Sequence, residues 1–346
     1  MCEAALSFKL GGVISPARFH RLFVRNRPFG LLLGSLAVSS CGDWLYNVAL
    51  VALVYDRTGS PGWVAVTTAA RVAPIVFLGP IGGVLADRCD RRRLMIASDL
   101  ARALLMVGLA FFAATGGAIL LAPLLAALAT AAGSVTPPCV AACTSRFVPA
   151  AERQRANGLR AAIGQGAIVV GPVIGALMLA LVGPALTIAL NGVTFIVSAA
   201  AIAAIPAGPV FAPAREHAAD PPSVFADVAA GARALRRAPV AVRLIAAEVI
   251  CSAVYGLLTV TLVLVAGRVG VGGGGYGLLL GASGAGGIAG ATVVGRYADR
   301  RHWRRTLALS LGTVGVTLAL LGAARDRKST RLNSSHYALS RMPSSA

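Results

Sequence analysis

Four polar side chains stand inside long apolar runs of this sequence and are the first candidates for chemistry: Asp43, Asn47, Arg71 and Glu248. A charge held within hydrocarbon is costly, and chains that keep one usually use it. Asp43 lies about halfway along its run, and Asn47 follows one helical turn later on the same face. Two roles are open for Asp43: binding a proton or a substrate in a central cavity, or a structural hydrogen bond to a neighbouring helix.

Arg71 and Glu248 also leave more than one role open. Arg71 lies in the outer third of its run, where it could neutralise Asp43, contact an anionic group, or extend its side chain to the membrane interface. Glu248 has Ser252 and Tyr255 at helical spacing. That pattern fits a cavity position and an interfacial position about equally well.

Other kinds of chemistry find no support in the residue pattern. The four His residues are scattered, the six Cys residues form no CxxC pair, and no catalytic Ser/His/Asp arrangement is recognisable. No GK[ST] sequence occurs, so ATP is not expected as an energy source. We predict a protein that is not an enzyme and that needs no metal and no cofactor.

The elements that must position the polar residues follow from composition. Hydrophobic residues make up 57% of the 346 and charged residues 13%, which is about half the charged share of a soluble domain. About 20 apolar residues cross the hydrocarbon core of a bilayer. Nine runs of that kind predict an all-α membrane protein: 29–54, 63–85, 94–114, 118–142, 158–181, 184–206, 244–267, 275–295 and 306–324.

Basic residues alternate between the loops that join these runs. The N-terminal segment and every second loop are rich in Arg, whereas the intervening loops carry little charge. Because Lys and Arg stay on the cytoplasmic side, this alternation predicts a multi-pass plasma-membrane protein with a cytoplasmic N-terminus. It also accounts for the net charge of +19 without nucleic acid as a partner.

The runs and loops divide the chain into five segments. They are a cytoplasmic N-terminal segment at 1–28, a six-helix half at 29–206, a cytoplasmic central loop at 207–243, three further helices at 244–324, and a polar tail at 325–346. Apolar positions within 224–235 predict a short amphipathic helix on the membrane surface. The tail is basic where the alternation predicts few charges, so one interpretation is a tail that is not native.

Two loops repeat one pattern, in which Asp follows Gly by four residues and is itself followed by Arg and a basic pair. A repeat on either side of the central loop indicates duplication of a six-helix half. The residues concerned are Gly83, Asp87, Arg88, Arg91 and Arg92 in the first loop, and Asp299 and Arg300 in the second.

The first loop resembles the signature of the major facilitator superfamily, G-x-L-A-D-R-x-G-R-R, which residues 83–92 match except at Asp90. That departure, Gly42-Asp43-Trp44 and Asp99-Leu100-Ala101-Arg102 are similar to the macrolide-efflux and siderophore-exporter branch. The fifth run resembles the antiporter motif of drug-efflux members through four residues: Gly164, Gly171, Pro172 and Gly175.

The resemblance implies twelve helices in two halves, of which about nine are present, with the fourth helix triplet absent. It implies that the Asp87 loop and its Asp299 counterpart brace the halves on the cytoplasmic side, and that the antiporter motif limits leak at a helix interface. Topology and ordinary packing are the simpler roles for the same residues. Asp99 and Arg102, three apart on one helix, are interpreted as a structural ion pair.

These observations together predict a secondary active transporter that works by alternating access. We expect proton-coupled efflux of a small amphipathic compound of the drug or siderophore class, with the substrate, the proton and the lipid bilayer as partners. Two alternatives stay open. One is a non-transporting membrane scaffold or sensor, and the other is an inactive truncated fragment.

Overall fold

The computed structural model describes residues 26–213 and 223–269, together with six isolated positions between 276 and 286. The described residues form eight α-helices and one short 3-10 turn, which confirms the predicted all-α fold class. The helices are α1 Arg27–Thr58, α2 Pro61–Arg88, α3 Arg91–Thr115, α4 Leu121–Gly133, α5 Thr136–Phe147, α6 Arg153–Ala203, α7 Val224–Arg236 and α8 Pro239–Val269. The run 306–324, the tail, most of the run 275–295, and Asp299 and Arg300 lie outside the described residues.

Short polar signals set the helix ends. The Asn26 side chain accepts a hydrogen bond from the Phe29 amide at the start of α1, and Asp90 accepts one from the Arg93 amide at the start of α3. Such caps satisfy amides that have no partner within the helix. Gly59 and Gly116 end the same two helices with φ of 60° and 84°, a conformation that suits glycine.

Five helical segments among the described residues are long and apolar enough to cross a membrane. They coincide with the first six predicted runs, because α6 contains two of them. Gly183, with φ 77° and ψ 176°, interrupts the helical backbone of α6 at the predicted break before Pro184. The run 118–142 is likewise divided into α4 and α5 near Ser134.

Helix α1 lies at the centre of the bundle, and most of its C-terminal half is buried. Large apolar side chains on other helices point outward instead, as shown by Phe77, Leu104 and Phe111, which are 74%, 72% and 69% exposed. An apolar exterior around a helical bundle is expected where lipid is the solvent. The predicted amphipathic helix is present as α7, and its Asp227 packs near the end of α2.

Candidate functional site

A cavity of about 640 Å³ opens among α1, α2, α3, α6, α8 and the α4–α5 pair. Its walls combine apolar surface with the charged side chains of Asp43, Arg71 and Arg102 and the aromatic side chains of Trp44 and Phe195. Pockets of this size that mix apolar walls with a few polar groups are typical of small-molecule sites. Three of the intramembrane polar residues singled out from sequence, namely Asp43, Asn47 and Arg71, line this one cavity.

Asp43 pairs with Arg102, a residue that the sequence had assigned to a different partner. The Nη2 atom of Arg102 donates to both carboxylate oxygens of Asp43, at 2.8 Å to Oδ1 and 2.7 Å to Oδ2. The Asp43 side chain is 34% exposed and that of Arg102 is 12% exposed. The carboxylate therefore faces the cavity, while the guanidinium lies behind it in the wall.

Asp99 lies on the other side of the same guanidinium. Its Oδ1 is 3.8 Å from Arg102 Nη1, so the predicted i,i+3 pair exists but is longer than the pair with Asp43. Ser198 on α6 donates to Asp99 Oδ2 at 2.6 Å, and the Asp99 side chain is 2% exposed. The Phe195 ring lies 3.8 Å from the guanidinium carbon of Arg102. We call Asp43, Asp99, Arg102 and Ser198 the cavity cluster.

Arg71 lies on the cavity wall beside α1. It donates to the Asn47 side-chain oxygen, and its guanidinium carbon is 4.8 Å from the centre of the Tyr46 ring. The structure therefore gives Arg71 contacts with Asn47 and Tyr46, and gives Asp43 a different counter-ion, Arg102. Glu248 lies in α8, but its side chain is outside the described part of the chain.

The glycines of the antiporter-like motif differ in their surroundings. A Cβ built at Gly171 would lie 2.4 Å from Trp44 Cβ, and one at Gly175 would lie 2.8 Å from the Leu45 carbonyl oxygen. These two positions thus let α6 pack directly against the turn of α1 that carries Asp43, and Pro172 is buried between them. A Cβ at Gly164 meets no atom within 4 Å among the described residues.

A second group of arginines lies where α2 ends and α3 begins, which we call the basic end. Arg91, 1% exposed, donates to the Ala212 carbonyl oxygen at 2.6 Å, and Arg146 donates to the same oxygen at 2.7 Å. Arg92 donates to the Ile205 carbonyl oxygen at 3.0 Å. Arg91, Arg92 and Arg146 thus hold the chain that follows α6, and together with Arg88 we call them the basic-end cluster.

Arg88 and Asp87 point away from that segment. Arg88 pairs with Asp227 of α7 at 2.7 Å, and the Asp87 side chain is 60% exposed, 3.5 Å from Arg91 Nη2. The contact with α7 was not foreseen from sequence, although Asp227 in the first turn of an amphipathic helix was a usable signal. A Cβ at Gly83 meets no atom within 4 Å in the part of the chain that the structure describes, whereas a Cβ at its neighbour Gly82 would lie 2.6 Å from the Ser134 carbonyl oxygen.

Comparison with known proteins agrees with this arrangement. The family model of the Major Facilitator Superfamily matches residues 32–332. The chain belongs to this superfamily. It is therefore an integral membrane protein of a transporter family and not of an enzyme family, as predicted.

Individual relatives point in the same direction. The chain is 31% identical over 212 residues to the multidrug efflux pump Tap of Mycobacterium tuberculosis, covering 60% of this chain and 50% of that protein. It is 36% identical over 87 residues to the uncharacterized MFS-type transporter YfiS of Bacillus subtilis, covering 25% of this chain and 21% of that one. The chain thus spans about half the length or less of these curated relatives.

Proposed function

We propose that this facilitator-superfamily chain exports a small amphipathic compound by alternating access, coupled to inward movement of protons. The basic end would face the cytoplasm, in keeping with the alternation of loop charge. The observation that carries the proposal is the Asp43–Arg102 ion pair on the wall of the cavity. Similarity to the efflux pump Tap supports the outward direction.

The ion pair offers a route from proton binding to substrate release. With Asp43 ionised, Arg102 neutralises it, and the carboxylate can also accept a hydrogen bond from a substrate in the cavity. A proton that binds Asp43 removes the negative charge and weakens both interactions at once. Proton and substrate then compete for one side chain, which is the requirement for exchange transport.

The apolar walls suit the lipophilic part of an amphipathic compound. Trp44 and Met106 line the cavity close to the charged groups, and Ile75 and Val72 extend the apolar surface along α2. A bound compound would place its polar end toward Asp43 and its apolar part against these side chains. Contacts of this kind are tolerant of shape, which fits a multidrug substrate range.

The test uses inside-out membrane vesicles that contain the chain, with ethidium as the transported probe and a pH-sensitive dye to report proton movement. In the wild type, an imposed pH gradient should drive ethidium uptake, and ethidium should cause proton release. Asp43→Asn should abolish both signals. Asp56→Asn is the matched control, because Asp56 is an exposed carboxylate near the end of the same helix.

Two results would overturn the proposal. One is pH-driven ethidium movement in Asp43→Asn that equals the wild type, which would remove Asp43 from the coupling step. The other is the absence of any gradient-driven movement in the wild-type vesicles across a panel of cationic, neutral and anionic dyes. That second result would favour a scaffold or an inactive fragment.

A further inference from the structure

We propose that Arg102 is a counter-ion shared between two carboxylates, and that Asp99 is the positioning residue that receives it whenever Asp43 is neutralised. The inference rests on the proposed role of Asp43 and deepens it. It assigns to Asp99 a task beyond the structural ion pair expected from its i,i+3 spacing: to stabilise the proton-loaded state of the cavity.

Arg102 lies between two carboxylates: it forms hydrogen bonds with Asp43 and stands slightly too far from Asp99 to do so. Its Nη2 atom contacts Asp43 at 2.7 Å and 2.8 Å, whereas its Nη1 atom is 3.8 Å from Asp99 Oδ1. An N–H···O hydrogen bond to a carboxylate is about 2.8 Å long, so a movement of about 1 Å would close the second contact. A small rotation of the long Arg side chain is enough for such a movement.

The neighbours of Asp99 fix the orientation of its carboxylate relative to Arg102. Ser198 donates to Oδ2 at 2.6 Å and fixes the carboxylate, so that the other oxygen is the one directed toward Arg102. Asp99 is buried, and its position on the same helix keeps its distance from the Arg102 backbone constant. The Phe195 ring lies 3.8 Å from the guanidinium carbon, and its face can stabilise the cation while the guanidinium moves from one carboxylate to the other.

The charge balance explains why a second carboxylate is needed. With both carboxylates ionised and Arg102 protonated, the three groups carry a net charge of −1. When Asp43 takes up a proton, the proton stays on its carboxyl group, Arg102 keeps its own proton, and the net charge becomes zero. Without Asp99, the same event would leave an unpaired guanidinium within the membrane, which is strongly unfavourable. Asp99 removes that penalty.

Other titratable and charged groups around the pair are few in the part of the chain that the structure describes. Helix α1 contributes Tyr46, and α2 contributes Arg71. At the cavity, α4, α5 and α8 contribute hydroxyl groups, namely those of Thr130, Thr136 and Thr259. Among these groups, Arg102 is the cation that lies 2.7 Å from Asp43 and 3.8 Å from Asp99.

Infrared difference spectroscopy of the purified full chain in lipid vesicles tests the proposal directly. The signal lost in Asp43→Asn identifies the protonated Asp43 carboxyl, and the carboxylate band lost in Asp99→Asn identifies Asp99. In the wild type, the Asp99 band should shift with the same pH midpoint as the Asp43 signal, because Arg102 moves onto Asp99 when Asp43 takes its proton.

Two variants test whether the Asp99 band shifts because Arg102 moves, or only because Asp43 loses its charge. In Asp43→Asn, which imitates the proton-loaded state, the Asp99 band should stand at its low-pH position at every pH. In Arg102→Gln, the pH-dependent shift of the Asp99 band should be lost. Asp99→Asn retains an oxygen that can accept from Ser198, and the elution profile of each variant checks that it is folded.

The outcomes distinguish the inference from the function on which it rests. An Asp99 band that stays still in the wild type while Asp43 titrates would overturn the shared counter-ion and leave the proton site intact. A shift that persists undiminished in Arg102→Gln would do the same. A wild-type spectrum without any Asp43 titration would overturn both the proton site and the inference.

Discussion

The cavity cluster and the basic-end cluster both hold arginine side chains against other parts of the protein, but with different partners. In the cavity cluster, Arg102 faces two carboxylates. In the basic-end cluster, Arg91 and Arg92 face mainly backbone carbonyl oxygens at and beyond the end of α6. Carbonyls at a helix end carry partial negative charge and are fixed in place, whereas a carboxylate carries a full charge that a proton can remove.

The difference teaches which cluster can change state. Arg91 and Arg92 are held mainly by carbonyl oxygens, which do not titrate, and the contact of Arg91 with Asp87 is longer at 3.5 Å. These carbonyl contacts therefore act as a brace between the α2–α3 turn and the chain after α6. A guanidinium bound to Asp43 loses its partner whenever that group is protonated. The cavity cluster therefore has two arrangements available, whereas the contacts of Arg91 and Arg92 with carbonyl oxygens have one. Four predictions test this contrast.

The largest effect is expected when Arg102 is replaced by Met. Two carboxylates would then remain without their cation within the membrane, and the free energy of unfolding should fall by about 3–5 kcal/mol. Unfolding in mixed detergent micelles measures the change. The triple variant that also carries Asp43→Asn and Asp99→Asn should recover most of the loss, because no charge is left unpaired. A triple variant as unstable as the single one would contradict this account.

At the basic end, Arg91→Met should lower the free energy of unfolding by about 2–3 kcal/mol, since it removes a buried guanidinium that donates to the half-buried Ala212 carbonyl oxygen. Arg93→Met is the matched control on the same turn, because its side chain is exposed, and it should change stability by less than about 0.5 kcal/mol. Neither variant should alter the pH dependence of transport. If Arg91→Met did change the pH dependence of transport, the basic-end cluster would also take part in the pH response, which contradicts the contrast with the cavity cluster.

The packing that holds Asp43 in place can be tested with two glycines of one motif. Gly175→Ala should cost about 1–2 kcal/mol, because the added methyl group would lie 2.8 Å from the Leu45 carbonyl oxygen. Gly164→Ala has open space and should be neutral or slightly stabilising. Thermal unfolding of the two variants in lipid gives the comparison. Equal losses of stability in the two variants would show that close packing at Gly175 is not what makes this position sensitive to substitution.

The smallest effect is expected at the ion pair between Arg88 and Asp227. Both side chains are partly exposed, at 22% and 12%, so a double-mutant cycle with Arg88→Gln and Asp227→Asn should give a coupling energy of about 0.2–1 kcal/mol. The coupling should weaken as salt concentration rises. A coupling as large as the cost of replacing Arg102 would place a second strong charge site outside the cavity.

Much of the fold could be predicted because its signals are local. Helix ends at Gly59 and Gly183 follow from the conformational freedom of glycine, and the apolar runs follow from the thickness of a bilayer. The intramembrane residues Asp43 and Arg71 could be selected for the same reason, since a charge in an apolar run is visible without any neighbour. The signature loop also identified the family.

The partners of those charges could not be predicted. Arg71 and Arg102 both lie within apolar runs, so their positions along the sequence do not decide which of them pairs with Asp43. The choice depends on which face of α2 or α3 is turned toward α1, and that rotation is set by contacts such as Gly82 against the α4–α5 junction. Periodicity within one helix carries no information about its rotation relative to another.

The sequence by itself determined that the chain is a helical membrane protein with a few costly charges in its interior, because composition, run length and loop charge act locally. Only the tertiary structure decided that Arg102 stands between Asp43 and Asp99, and that Arg91 and Arg92 bind the chain after α6. The partners of such an ion pair lie far apart in the sequence, so the pair depends on how the helices that carry them pack against each other.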